Sequence, residues 1–425
     1  MGKSWAIAVL LTMITSVNVF AVSYDLEEIV GEAQDNNRDI QLARLEIKTA
    51  SAETSAVYSR IIPHLNAGLG YNRNFIESTT FIGSYNNEYQ LYAELNQTLF
   101  SFEVLRGIKA ARYLKDLSAH MFESVRQGVI VQVKKDFYQV LLLKEIFEVV
   151  RNSEASSKEN YDNMKDRYES GVVSEFDLLQ AEVNWRNAIP QTLEARRDYD
   201  LALNNLKVLT GIPIDETLTL RGSMDSYPDI PGPISFEKAI RRRPDHNVLV
   251  WEIKLREMNI LVQKSNYYPT LSATLNYSHA AASDQFRLEN DSNNLVLGLA
   301  LSIPIFSGGY TGAQVKKAEI ELEKVSTRIA KLNESIEVEL RNIELRMQEA
   351  NIRIEAALKS VATARRAFEI AKTLVENKLA TQIELNEIRV ALDQAQVGYY
   401  SSVHDYLITY FDWELAVGTV SLKGY

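Results

Sequence analysis

The feature that most constrains the fold of this chain is an internal duplication. Residues of the first half recur in the same order 206 positions later: Asp39 and Asp245, Glu46-Ile47-Lys48 and Glu252-Ile253-Lys254, Pro63 and Pro269, Leu65 and Leu271, Leu69 and Leu275, Tyr71 and Tyr277, Leu95 and Leu301, Phe100-Ser101 and Phe306-Ser307. An insertion near Gly308-Gly309 moves the spacing to 207, and the later matches are Leu178 and Leu385, Val183 and Val390, Tyr199 and Tyr406, Gly211 and Gly418. A repeat of roughly 200 residues is much longer than a solenoid unit, so the chain contains two copies of one plan.

A segment rich in proline and glycine separates the two copies. It starts at Gly211-Ile212-Pro213 and ends with Pro231-Gly232-Pro233, residue types that interrupt helices and strands. We therefore predict the following division: a first repeat over 22–211, a linker over 212–235, a second repeat over 236–418 and a tail over 419–425.

Residues 1–21 have the pattern of a signal peptide. Lys3 precedes an apolar run over 5–14, and residues 19–21 fit the small-residue pattern of a cleavage site. The alternative is an uncleaved anchor, but a spanning helix needs about 20 apolar residues and this run is shorter. We expect export and a mature chain that begins at Val22.

Each copy contains two segments in which apolar residues alternate with polar or small ones. The apolar positions are Leu65, Ala67, Leu69, Tyr71 and Phe75, then Tyr89, Leu91, Ala93 and Leu95, then Leu271, Ala273, Leu275 and Tyr277, and finally Leu295, Leu297, Leu299, Leu301 and Ile303. Tyr92 interrupts the alternation. A period of two predicts four amphipathic strands of roughly ten residues, joined by longer polar loops over 76–87 and 279–293.

Helical patterns occupy most of the remaining chain. Shorter helices are predicted before the strands, ending ahead of Pro63 and Pro269; their ranges are 25–61 and 236–266. After each strand pair we predict a very long helix and then a shorter one, over 103–170 and 174–209 and again over 310–377 and 381–417. At 1.5 Å per residue each long helix extends on the order of 100 Å.

The second long helix has the spacing of a coiled-coil seam. Apolar or small residues follow a 4-3 pattern from Ile336 to Val375. The first copy repeats this pattern more weakly, with Lys144 interrupting it. The predicted fold class is therefore α+β and mainly α, with extended helix packing beside a small amphipathic sheet.

Two interpretations of the four strands are open. In a soluble sandwich the apolar face packs on a second sheet, whereas in a membrane barrel it faces lipid. The barrel is favoured because nothing else in the chain offers a surface large enough to cover the sheet. Four strands are too few to close, since membrane barrels begin at about eight. Two copies would give a barrel of eight strands whose interior is filled by side chains. Three copies would give a barrel of twelve strands with room for a water-filled lumen.

Composition excludes several classes of function. With 46 basic and 56 acidic residues the net charge is −10, whereas nucleic-acid binding calls for clustered positive charge. The absence of cysteine excludes disulfides, a cysteine nucleophile and the acylated cysteine of a lipoprotein.

No catalytic, cofactor or metal site is expected. The histidines are scattered, without an i, i+4 pair: His64, His120, His246, His279 and His404. Gly308-Gly309 follows a strand but lacks the residues of a phosphate-binding loop, and no nucleophile elbow is present. The pattern indicates a protein that is not an enzyme.

Several motifs together resemble the TolC-like outer-membrane efflux proteins. They are the duplication, Arg243-Pro244-Asp245 at the start of the second repeat, Tyr267-Tyr268-Pro269-Thr270-Leu271 before a strand, and Ile303-Pro304-Ile305-Phe306-Ser307-Gly308-Gly309 after one. The resemblance covers the whole mature chain. It implies a homotrimer with a twelve-stranded transmembrane barrel in the outer-membrane lipid, a helical barrel through the periplasm, and a tip that docks a periplasmic adaptor and an inner-membrane transporter.

The turns of the two helical hairpins are candidate functional sites. Gly171 and Val172 mark the first turn, and Lys378 and Leu379 mark the second; we expect these tips to contact the adaptor. The resemblance further implies acidic residues facing the pore at its narrowest point, which places a gate at Glu384 and Glu387, with Asp177 as a first-repeat counterpart.

A second interpretation exists for two of these acids. Ser174 and Thr381 are plausible helix N-caps, and Asp177 and Glu384 stand three residues later, as in a capping box. Glu387 is not needed for a cap. At the level of the whole protein, the alternative to an export duct is a periplasmic or surface coiled-coil scaffold without transport.

Overall fold

The computed structural model describes residues 22–75, 85–377 and 379–422. The helices are α1 (Leu26–Asn36), α2 (Arg38–Ser59), α3 (Phe102–Glu169), α4 (Glu175–Thr210), α5 (Phe236–Arg242), α6 (Pro244–Lys264), α7 (Tyr310–Glu376) and α8 (Gln382–Ala416). The strands are β1 (Val22–Tyr24), β2 (His64–Arg73), β3 (Asn87–Phe100), β4 (Leu218–Leu220), β5 (Thr270–Ser283) and β6 (Ser292–Ser302). The predicted signal peptide lies outside the described residues, as does the end of the predicted tail.

The long helices confirm the mainly helical prediction. Helix α3 contains 68 residues and α7 contains 67, and each forms an antiparallel hairpin with the helix that follows it. Along α7 the predicted seam faces inward. Its buried members are Ile336, Ile343, Met347, Ala350, Ile354, Ala371 and Val375.

The predicted single helices before the strands are wrong in one respect, because each is broken in two. The first breaks at Asn37, whose side chain accepts hydrogen bonds from the backbone N–H groups of Asp39 and Ile40. The second breaks at Arg243, because Pro244 takes the first position of α6 and proline disfavours helical backbone in the residue before it.

These two breaks are equivalent positions of the repeat. The Asn37 side-chain amide donates to the carbonyl oxygen of Leu209, 2.7 Å away, at the end of α4. The Arg243 guanidinium donates to the carbonyl oxygen of Ala416, 3.2 Å away, at the end of α8. In both copies the break therefore anchors the end of a hairpin helix, whose last carbonyls have no partner within the helix.

Four strands form one antiparallel sheet in the order β2-β3-β5-β6. The predicted apolar positions lie opposite one another across the strands: Leu65 with Leu95, Leu69 with Leu91, Leu95 with Leu275, and Leu275 with Leu297. The apolar face is therefore continuous over the whole sheet, as predicted from the alternation.

Several strand ends differ from the prediction; β6, for example, ends at Ser302, before Ile303. Strand β5 continues to Ser283 because residues 280–283 pair with 87–90 of β3, which shortens the predicted loop 279–293. Strand β2 ends at Arg73, so Phe75 lies beyond it. The Tyr92 side chain, which interrupts the alternation, lies over Gly68 on the neighbouring strand. A Cβ atom added at Gly68 would be 2.5 Å from the Tyr92 ring, so the ring occupies the space that a side chain at position 68 would need.

The main core lies where the two hairpins and the linker meet. It combines residues of α1, α3, α4, α7 and α8, including Ile29, Phe137, Leu206, Met347, Tyr406 and Phe411. The predicted linker contributes strand β4, which pairs in parallel with β1. Tyr406 donates from its hydroxyl to the carbonyl oxygen of Pro228 at 2.7 Å, so the linker is attached to the second hairpin.

Within this core lies an ion pair that the sequence did not predict. The Lys134 ammonium of α3 is 2.6 Å from the Glu414 carboxylate of α8, with side-chain exposures of 0% and 3%. Burial lowers the pKa of Lys134, while the neighbouring carboxylate opposes that shift. The pair fixes one hairpin against the other.

Across the described ranges 22–75, 85–377 and 379–422, none of the helices combines the length and the apolar character that crossing a membrane requires.

Candidate functional site

The two hairpin turns lie at the same end of the molecule. The first joins α3 to α4 and the second joins α7 to α8. A hydrogen bond of 2.9 Å from the Asn160 side-chain amide to the Gln382 side-chain oxygen connects the hairpins close to both turns. The structure therefore brings the sequence-predicted tip residues to one end of the helical region.

The tips themselves are exposed. Gly171 has a φ angle of 70°, a left-handed conformation that favours glycine, and Val172 beside it is exposed. In the second turn Leu379 is 75% exposed, while Lys378 lies outside the described residues. An apolar side chain as open as Leu379 is available for contact with another protein.

Both predicted capping boxes are present. The Ser174 hydroxyl accepts from the Asp177 backbone N–H at 3.2 Å, and the Asp177 carboxylate accepts from the Ser174 backbone N–H at 3.3 Å. The Glu384 carboxylate accepts from the Thr381 backbone N–H at 2.7 Å and from its hydroxyl at 3.0 Å. These bonds to the charged form lower the pKa of Glu384.

Glu384 and Glu387 are both exposed on the first turns of α8. Residues three apart lie on the same side of a helix, so the two carboxylates share one face close to the tip. Asp177 is partly exposed at the equivalent place on α4. Glu384 and Asp177 therefore act as capping residues and Glu387 does not, and all three carboxylates are at least partly exposed.

A polar cluster behind the tips joins α3 to α8, and it was not predicted from the sequence. The Arg389 guanidinium donates to the Ser153 carbonyl oxygen at 3.0 Å, to the Ser157 hydroxyl, and to the Asn386 side-chain oxygen at 2.6 Å. The Asp393 carboxylate accepts from the Ser153 hydroxyl at 2.7 Å. Burial lowers the pKa of Arg389 and raises that of Asp393.

A cleft of about 430 Å³ opens between the hairpins beside this cluster, and its lining includes Asn160, Asn163, Asn184, Lys372, Gln382 and Arg389. The sequence carries no local signal for this cluster, because residues that meet in it, such as Ser157 and Arg389, are 232 positions apart. In the described part of the chain, no three His, Asp or Glu side chains converge as metal ligands would.

Solved structures share this architecture. The Campylobacter jejuni CmeC outer membrane channel superimposes with a TM-score of 0.80 and 20% sequence identity, over 93% of this chain and 85% of that one. The shared fold is therefore a duplicated sheet and helical hairpins of the kind found in an outer membrane channel.

Sequence comparison identifies the family. The family model for the outer membrane efflux protein matches residues 29–212 and 236–407, and the chain belongs to this family of outer-membrane channels. The outer membrane protein TolC of Vibrio cholerae is 20% identical over 93% of this chain and 91% of that protein. The alkaline protease secretion protein AprF of Pseudomonas aeruginosa is 25% identical over 64% of this chain, and the match spans 58% of AprF.

Proposed function

We propose that three copies of this chain form the exit duct of a tripartite efflux or type I secretion system. The observation that carries the proposal is the apolar face of the sheet, on which Leu297 and Leu299 are each 72% exposed. It is joined by the outer edges of β2 and β6, which have no neighbouring strand among the described residues. Three sheets of four strands close into a barrel of twelve, with the apolar face toward lipid and the polar face toward a lumen.

The helical hairpins continue this lumen through the periplasm. Helices of 68 and 67 residues extend about 100 Å at 1.5 Å per residue, which carries the tips far from the outer membrane. At that end the chain meets its partners, a periplasmic adaptor and an inner-membrane transporter. The duct conducts cargo and performs no chemistry of its own.

The competing function is a coiled-coil scaffold that does not transport. Membrane fractionation separates the two: a duct stays in the membrane through a high-salt wash and runs in detergent as a heat-sensitive trimer. A scaffold is released by salt. Recovery of the wild-type chain in the salt wash contradicts the duct.

We propose that Glu384 and Glu387 line the closed gate. In a trimer they form two stacked rings of three carboxylates, which repel anions, attract cations and bind multivalent cations. Asp177 adds charge from the first hairpin at the same end. The proposal is supported by the exposure of both glutamates on one face of α8.

Replacing both glutamates by glutamine is expected to abolish the cation selectivity of the closed channel and its block by a trivalent cation. Glutamine at position 384 keeps a side-chain oxygen that is compatible with the capping box, so the tip remains folded. Single-channel recording in planar bilayers measures both properties. A control with Glu334→Gln and Glu355→Gln removes the same charge from exposed positions of α7 away from the tip. Unchanged selectivity and block in the gate variant contradict the assignment.

Substituting Leu379 by aspartate is expected to abolish export while the trimer remains intact. The substitution removes an exposed apolar contact and adds a charge, without touching the core. Export is measured as cargo release or drug resistance in cells, and assembly as the heat-sensitive trimer. Leu379→Met, which keeps the apolar surface, is expected to retain export. Loss of the trimer in Leu379→Asp makes the tip a folding element instead of a docking site.

A further inference from the structure

The two outer strands of the sheet carry open edges. Strand β2 pairs only with β3, and strand β6 pairs only with β5, among the residues that the structure describes. Open edges pair readily with another chain. In the trimer proposed above, on which this inference rests, β6 of one copy must meet β2 of the next, and the internal duplication specifies how.

The duplication preserves strand register. In the first repeat Leu65 lies opposite Leu95, and in the second repeat their counterparts Leu271 and Leu301 lie opposite each other. The same holds along both hairpins, from His64 with Asn96 and Thr270 with Ser302 to the far ends. Adding 206 to the residue numbers of each pair in the first hairpin therefore gives the pairs observed in the second hairpin, in the same register.

The junction between the repeats supplies the template for the junction between copies. Within one chain, β3 of the first repeat pairs with β5 of the second, with Leu95 opposite Leu275 and Ala93 opposite Tyr277. The counterpart of β3 is β6, and the counterpart of β5 is β2. We infer that β6 of one copy pairs with β2 of the next copy, with Leu301 opposite Leu69 and Leu299 opposite Tyr71.

The helices supply an independent observation for the same contact between two copies. Within one chain, the Trp251 ring of α6 lies 6.0 Å from the Tyr113 ring and 5.8 Å from the His120 ring of α3, measured between centroids. The counterpart of Trp251 is Leu45 on α2, which is 52% exposed. A side chain that contacts a neighbouring helix in one repeat is thus exposed at the equivalent position of the other.

The surface that receives Leu45 is also open. The counterparts of Tyr113 and His120 are Ile320 and Thr327 on α7, and Ile320 is 41% exposed. Both line a groove of about 530 Å³ together with Glu323, Lys324 and Arg328. Leu45 of the next copy occupies this groove, as Trp251 occupies its equivalent within the chain. Sheet and helices therefore define one seam, which joins the second repeat of each copy to the first repeat of the next.

Disulfide cross-linking tests the register, because the chain contains no cysteine. Chains carrying Leu301→Cys together with Ala67→Cys, Leu69→Cys or Tyr71→Cys are oxidised in outer membranes and separated on denaturing, non-reducing gels. Directly opposite residues have Cα atoms about 4.5–5.5 Å apart, within disulfide range. Diagonal neighbours are about 7–8 Å apart, which is outside it.

The matched control is the equivalent pair within one chain, Leu95→Cys with Leu275→Cys, whose strand geometry is observed. It is expected to form a disulfide inside the monomer. The Leu301 and Leu69 pair is expected to form covalent trimers with similar efficiency, severalfold above the two slipped pairs. Dominant cross-linking through position 67 or 71, or none at any of the three, overturns the register.

A second pair tests the helical part of the seam. Leu45→Cys with Ile320→Cys is expected to give covalent trimers with a short bismaleimide, whereas Leu45→Cys with Lys331→Cys, three turns further along α7, is not. Equal cross-linking of both pairs, or none, overturns the placement of Leu45. Wild-type trimer formation and conductance are measured in parallel: intact, conducting trimers with the wrong cross-links refute the register alone, and the absence of a trimer refutes the proposed duct.

Discussion

Replacing Glu414 by alanine is expected to destabilise the folded chain by about 3–5 kcal/mol, because it leaves the Lys134 ammonium in the core without its carboxylate. The two groups are 2.6 Å apart and their side chains are almost wholly buried. The Lys134 ammonium also lies 5.1 Å from the centre of the Phe411 ring, and that contact does not replace a full negative charge. The thermal midpoint of the helical circular dichroism signal of the detergent-solubilised protein measures the loss.

Two controls separate charge burial from general damage to α8. Asp412→Ala breaks the neighbouring salt bridge between Asp412 and Lys135. Both side chains of that pair are about a quarter exposed, so the expected loss of stability is roughly 1 kcal/mol or less. Lys134→Met combined with Glu414→Leu removes both charges and is expected to recover most of the stability. Equal losses in Glu414→Ala and Asp412→Ala contradict the role assigned to burial.

Introducing arginine at Leu275 is expected to prevent trimer assembly. In the proposed barrel each copy places one charge on the lipid face, at a cost of about 2–4 kcal/mol near the bilayer midplane, and the proposed trimer contains three such charges. Leu275 lies opposite Leu95 on one side and Leu297 on the other, so the charge stands in the middle of the apolar face. The fraction of heat-sensitive trimer in isolated outer membranes measures assembly.

The neighbouring residue provides the control. Asn276 is next to Leu275 and therefore points to the other face of the sheet, opposite Glu94 of β3. Asn276→Arg is expected to assemble, since in the proposed barrel its charge faces the water-filled lumen. If both arginine variants assemble equally well, or fail equally, the proposed facing of the sheet is wrong.

The structure confirms those features whose signal lies in neighbouring residues. The four strands were predictable because side chains alternate with a period of two along a strand, and the seam of α7 because apolar residues repeat at helical spacing. The capping boxes at Ser174 and Thr381 were predictable because a cap and its partner are three residues apart. The breaks at Asn37 and Arg243 were not predicted, although each has a local signal, the Asn37 side chain that caps α2 and the proline at position 244. The contacts of Asn37 and Arg243 with the ends of α4 and α8 were out of reach, because the partners are 172 and 173 positions away.

The amino-acid sequence establishes more than local structure, because the chain contains its plan twice. The duplication identifies equivalent residues, such as Leu65 and Leu271, without knowledge of any contact. It does not identify which strand or helix face meets which. That information came from the observed β3–β5 and α3–α6 pairings, and their extension to the next copy gives the proposed register of Leu301 with Leu69.

The contacts between the two hairpins are visible in the tertiary structure and were not predictable from the sequence. Lys134 and Glu414 are separated by 280 positions, and Arg389 and Ser157 by 232. Their meeting depends on how α3 and α8 pack side by side, which is set by the sum of many weak apolar contacts along both helices. Helix periodicity indicates which side chains face inward. The packing of the two hairpins then determines which buried charge receives a partner, and it placed Glu414 beside Lys134.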